Sequence, residues 1–161
     1  MSENVAVSEG LSLRVTRRIK ARRHRVFDSW TNPELLHLWF APGTSRVQSA
    51  TVDLRIGGVF RIVLENEAGG TLTARCVYTE IVLDEVLIFT WNWENLPSAG
   101  ESRVTVTFHD ADDGTDVVLT HERLATEDMV NRHSNGWNGC LENLARLYDP
   151  ETERTPYTNC N

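Results

Sequence analysis

Histidines, tryptophans and a few charged pairs carry what chemistry this chain can do. The five histidines are His24, His37, His109, His121 and His133. None stands in HxxxH or HExxH spacing, so no helix offers the paired imidazoles of a zinc site, and no metal ligands are expected. His133 holds the most promising position, one turn before Trp137 on an apolar helical stripe. An imidazole in an apolar pocket can act as a base near neutral pH, which makes His133 the one catalytic candidate. No carboxylate is placed by spacing to orient it, so Glu122 or Asp53 would have to approach through the fold. The simpler reading is a core imidazole hydrogen-bonded to a strand. No Ser/His/Asp or Cys/His spacing suggests a nucleophile, and an enzyme is the less expected outcome.

Five tryptophans, Trp30, Trp39, Trp91, Trp93 and Trp137, are many for 161 residues. Each can be plain core, but binding pockets are also lined mainly by aromatic and aliphatic groups. Trp91 and Trp93 share one face of a strand with Phe89, while Val86, Ile88 and Thr90 lie on the other. The aromatic face is expected inward, opposite Trp137. Phe60, Tyr78, Leu141 and His133 complete the expected ligand-binding set.

Other motifs point to structure. Asp53 and Arg55 precede Gly57-Gly58, a tight reversal suited to positive φ. No GxxxxGK[ST] or GxGxxG occurs, so no nucleotide cofactor is expected. The run from Asp110 to Gly114 fails the calcium-loop pattern, with Gly at position five and His121 at position twelve, and reads as a hairpin turn. The cluster Arg17, Arg18, Lys20, Arg22, Arg23 and Arg25 reads as a solvated edge. Cys76 and Cys140 fall on apolar faces and read as small buried hydrophobes. The three cysteines have no CxxC spacing, which disfavours a disulfide framework and suggests a cytoplasmic setting. A net charge of −7 disfavours nucleic acid as a partner. No apolar run reaches the roughly 18–20 residues needed to span a bilayer, and the first residues lack a secretory pattern.

These side chains need elements to hold them. Leu11, Leu13, Val15 and Ile19 alternate as a half-buried strand. Val26, Phe27 and Trp30 repeat at helical spacing. A second short helix is expected at PELLHLWF, with Asn32 as cap and Pro33 in its first turn. Strands are expected at 47–53, 58–65, 70–82, 85–95, 102–109 and 115–122, separated by turns short enough to force antiparallel pairing. Val130, His133, Trp137, Leu141, Leu144 and Tyr148 define a last helix of about 20 residues, roughly 30 Å long. Gly136 and Gly139 lie inside it at a cost of about 1 kcal/mol each, which points to close approach to the sheet or to empty space beside the helix. The expected fold is α+β: a curved seven-stranded antiparallel sheet gripping a long C-terminal helix, with two short helices after the first strand. Residues 10–149 form the single domain, flanked by a loose N-terminus over 1–9 and a flexible tail over 150–161.

Several segments in order resemble one family. They are WTNPELLHLWFAP, DLRIGG, IVLDEVLIFTWNW, the paired strands SRVTVTFHDADDGTDVVLTHERL, and HSNGWNGCLENLARL. Together they resemble the family related to the C-terminal domain of the 90-kDa heat-shock-protein ATPase activator, within the START/birch-pollen-allergen-like (SRPBCC, helix-grip) superfamily. Phe40 stands where a second Trp is common, and Leu83-Asp84 where Pro is frequent. The resemblance implies a cavity between sheet and helix, and it carries no universal catalytic set. The first expectation is therefore a protein that binds a small apolar or amphipathic molecule. A chaperone-associated stress-response module is the second, with an exposed apolar patch on the outer sheet face or near Trp39 and Phe40. A cyclase-like or hydrolase-like enzyme using His133 is the third. Open sheet edges would permit a homodimer.

Overall fold

The computed structural model describes residues 10–149. The segments 1–9 and 150–161, expected to be loose, lie outside the described residues, as does Cys160. In chain order the elements are β1 (Leu11–Ile19), α1 (Arg23–Thr31), α2 (Pro33–Leu36), β2 (Arg46–Val52), β3 (Val59–Glu65), β4 (Thr71–Val82), β5 (Val86–Trp93), a 3-10 turn (Pro97–Ala99), β6 (Ser102–Ala111), β7 (Gly114–Leu124) and α3 (Glu127–Leu147). The strands form one sheet in the order β1-β7-β6-β5-β4-β3-β2, and every pairing is antiparallel. This is the α+β helix-grip fold.

Alternation sets which face is buried. Along β5, Leu87, Phe89 and Trp91 are buried, whereas Val86, Ile88 and Thr90 are half-exposed. On β6, Ser102, Val104, Val106 and Phe108 face the core, and on β7 Val117, Leu119 and His121 do so. Short turns fix the register. Ala111 pairs with Gly114, which leaves Asp112-Asp113 as a two-residue hairpin. Gly57 has φ +85°, and a Cβ on Gly58 would lie 2.0 Å from the Asp53 carbonyl oxygen, so both halves of the diglycine are required. Asp53 and Arg55 form an exposed pair at 2.9 Å beside that turn.

Two local devices set the entry to α3. Leu11 pairs with Leu124 but Leu13 with His121, so β7 holds one extra residue there, and Arg123 takes φ +67° in the bulge. Thr126 then caps α3 by accepting from the Met129 amide at 3.1 Å, and Glu127 and Asp128 complement the helix dipole. α2 is shorter than PELLHLWF suggests. The helix ends at Leu36, and a mixture of three- and four-residue turn hydrogen bonds carries the chain to Phe40. Asn32 caps it as expected, accepting from Glu34 N at 3.0 Å.

α3 runs closest to β1, with lesser contact to β7. The wider gap between α3 and the middle of the sheet is filled by aromatic side chains. Trp137 lies 5.2 Å from Trp91, 5.5 Å from Phe40 and 6.1 Å from Trp30, ring centre to ring centre. The two helical glycines differ from each other. A Cβ at Gly139 would sit 3.0 Å from Pro42 Cβ, so the close approach is to the α2–β2 loop and not to the sheet. A Cβ at Gly136 would meet nothing nearer than Pro42 Cγ at 4.0 Å.

Candidate functional site: an aromatic cavity beside a saturated histidine pair

A cavity of about 350 Å³ opens between the N-terminal half of α3, the inner face of β5 and the β3–β4 turn. Phe40, Trp91 and Trp137 form its inner wall, and Leu64, Met129 and Cys140 add aliphatic and sulfur surface. Trp93, Leu72 and Leu96 stand nearer solvent; Leu72 and Leu96 are exposed apolar side chains at its edge. Gly136 forms part of the helix wall, so its missing side chain is the space itself.

Of the expected binding set, Trp91, Trp93, His133 and Trp137 line this cavity. Trp30, Trp39, Phe60, Tyr78, Phe89 and Leu141 do not. They are at most 1% exposed and pack against one another in the solid core. Trp39 is held there by an indole N–H donated to the Ser29 carbonyl at 3.0 Å. Phe60 is stacked with Tyr78 at 6.3 Å and meets Phe89 edge-on at 5.6 Å. The spacing told that these residues point inward, but it carried no information on where packing is complete. Trp39 and Phe40 are both buried, so neither forms part of an exposed apolar patch, although Leu38 beside them is exposed.

Sequence reasoning passed over His121. It sits on the inward face of β7, in register with Val117 and Leu119, and a histidine in that apolar alternation was the available signal. The Trp137 indole donates to His121 Nδ1 at 3.0 Å. His121 therefore carries its proton on Nε2 and donates it to Ser102 Oγ at 2.7 Å, while Ser102 donates to the Trp91 carbonyl at 3.3 Å. His133 stands 4.8 Å away, ring centre to ring centre, and repeats the logic. Its Nδ1–H donates to the Met129 carbonyl at 2.7 Å, and its Nε2 accepts from the Trp93 indole at 2.9 Å. Both imidazoles are neutral and have no nitrogen to offer a substrate. Burial lowers the His121 pKa to about 3, with the neighbouring His133 adding to the effect. Burial also lowers the His133 pKa, against a smaller opposing pull from its bond to the Met129 carbonyl.

His133 thus positions Trp93 rather than exposing a base. Neither carboxylate that could have oriented it bonds to it: Glu122 pairs with Arg103 at 2.9 Å, and Asp53 with Arg55. Burial raises the Cys140 and Cys76 thiols well above their usual range, which keeps both protonated. Among the described residues no group of three or more His, Cys, Asp or Glu side chains could hold a metal ion.

The basic cluster is less free than a solvated edge. Arg18 pairs with Asp116 and with Asp113, and Arg23 pairs with Asp110 at 3.1 Å. Arg25 lies over the Tyr148 ring at 4.8 Å. The β6–β7 hairpin therefore supplies counter-charges to Arg18 of β1 and Arg23 of α1, and Arg23, Asp110 and Asp113 border a shallow charged depression of about 560 Å³. No helix among the described residues is long and apolar enough to cross a membrane.

Comparison with known proteins agrees with this architecture. No protein of curated function matches the chain. Among solved structures, a protein from Chromobacterium violaceum is similar at 24% identity and TM-score 0.80, over 86% of this chain and 97% of its own. One from Nitrosomonas europaea is 23% identical with TM-score 0.74, over 87% and 94%. The AHSA1 protein of Silicibacter pomeroyi is 24% identical with TM-score 0.74, over 84% and 95%. At these identities the likeness speaks to the fold. The family model described as Activator of Hsp90 ATPase homolog 1-like protein matches residues 20–149. With that match spanning the short helices, β2 to β7 and α3, the chain belongs to the Activator of Hsp90 ATPase homolog 1-like family, within the helix-grip superfamily.

Proposed function

We propose that the protein binds a small apolar or amphipathic molecule in the cavity between α3 and β5. The observation that carries this reading is the cavity itself: about 350 Å³ of aromatic-lined space beside a core that is otherwise tightly packed. Small-molecule pockets begin at roughly 300 Å³, so the ligand is small. Gly136 supports the reading, because a helix interior carries about 1 kcal/mol of cost for glycine over alanine and here gains open space in return. Burying ligand surface at about 25 cal/mol per Å² would supply the affinity. Catalysis by His133 finds no support in a ring whose two nitrogens are both engaged. The chaperone-associated reading loses Trp39 and Phe40 as parts of an exposed apolar patch, since both are buried.

Native mass spectrometry of freshly purified protein, followed by denaturing extraction, tests the proposal. The expected result is a co-purifying small molecule in the natural sequence and none in Gly136→Leu, whose added side chain occupies the cavity. A protein of bare mass whose tryptophan fluorescence also ignores small aromatic and aliphatic probes would overturn it.

A further inference from the structure

We infer that the ligand is an amphipathic acid, its carboxylate or equivalent anion held at the cavity lip by Arg132 and Asn66. This rests on the ligand-binding reading above and names the ligand's chemical class.

The polar groups on the cavity wall carry the argument. They are Ser45, Asn66, Arg132 and His133, with the indole of Trp91, and no carboxylate lines the cavity. His133 has both nitrogens engaged, and the Ser45 hydroxyl donates to the Pro42 carbonyl. Asn66 Oδ1 accepts from the amides of Ala68 and Gly70, both at 2.9 Å, which leaves its Nδ2 as an unengaged donor. Arg132 Nε donates to Asp128 at 2.8 Å, and its two terminal nitrogens are unengaged. The Trp91 indole N–H is buried with no acceptor among the described residues. Apart from the Ser45 lone pairs, every unengaged polar group on this wall is therefore a donor. A ligand completing them brings acceptors, and a guanidinium and an amide together suit an anionic oxygen pair.

Two features bound the idea. The chain carries −7 overall, so long-range attraction does not bring an anion here, and the recognition must be local. Asp128 already shares the Arg132 guanidinium, so it competes with an incoming carboxylate for the same charge. A cationic ligand would find aromatic faces but would also meet Arg132 at the mouth.

The test uses matched probes on the full chain: 2-naphthoate with 2-naphthylmethanol, and decanoate with decanol, each titrated by calorimetry and by tryptophan fluorescence. The acids are expected to bind tighter than their alcohols. Arg132→Gln, at an exposed position, should weaken the acids about three- to tenfold and leave the alcohols unchanged, whereas Asp128→Asn should tighten the acids. Gly136→Leu should abolish all four. Equal binding of acids and alcohols, unmoved by either charge variant but lost in Gly136→Leu, would overturn the anion inference and leave the cavity reading standing. Absence of binding by every probe, or binding indifferent to Gly136→Leu, would overturn both.

Discussion

Each of the paired histidines acts as an acceptor for a tryptophan and a donor to an oxygen, and protonation breaks the first of these roles. A proton on His121 Nδ1 would face the Trp137 N–H, and one on His133 Nε2 would face the Trp93 N–H. The unfolded chain takes up the His121 proton near 6.5, whereas the folded chain refuses it down to about 3. Within that window the unfolded state binds more protons, so this contribution to stability is present above pH 6.5 and is lost as pH falls toward 3. The slope reaches about 1.4 kcal/mol per pH unit at most. Urea melts at pH 7, 5.5 and 4.5 should show it, and His121→Leu should be less steep while losing about 1–3 kcal/mol at pH 7, because the Trp137 indole loses its acceptor and the Ser102 hydroxyl oxygen loses its donor. Parallel pH slopes in the two proteins would refute the assignment. Little of this was legible in the residues. His133 stood out through helical spacing, but only the fold brings it to His121 and turns both rings neutral.

At the scale of elements, α3 shows how one residue type can serve two purposes. Gly136→Ala places its methyl beside open space and should stabilise the protein by about 1 kcal/mol, the ordinary helix preference. Gly139→Ala places its methyl 3.0 Å from Pro42 Cβ, so the α2–β2 loop must shift and the same preference should be offset or reversed. Thermal melts of the two variants side by side decide it; equal gains would show that Pro42 does not constrain the helix. Gly58→Ala is a harsher case, because its methyl would collide with the Asp53 carbonyl oxygen, and a loss of more than about 3 kcal/mol is expected in the same assay. The elements themselves were readable. Alternation located the strands within a residue or two, and the Asn32 cap and the Val130-to-Tyr148 stripe located the helices. The end of α2 was not readable, because Leu38, Trp39 and Phe40 have helical composition but are turned by packing. Leu38 is left exposed while Trp39 and Phe40 after it are buried.

At the scale of the molecule, Trp137 joins the packed core to the cavity. It contacts Trp30 and Phe40 on one side and Trp91 and His121 on the other. Trp137→Ala should destabilise the fold by about 3–5 kcal/mol and enlarge the cavity at once, whereas Trp93→Phe, at its rim, should lower ligand affinity with a smaller loss of stability, from the His133 Nε2 it leaves without a donor. Finding the reverse order in denaturation and binding assays would place the site elsewhere. The amino-acid sequence by itself determined the α+β class, the strand and helix order, the inward aromatic face of β5 and the family, because each depends on local periodicity, turn chemistry or ordered motifs. Tertiary structure alone decided which aromatics fill the core and which border space. It also decided that His133 is saturated and that Arg18 and Arg23 of the basic cluster are partnered by the β6–β7 hairpin. Those outcomes depend on distances between residues far apart in the chain, and a cavity is the volume that packing leaves unfilled, which no single stretch of sequence encodes.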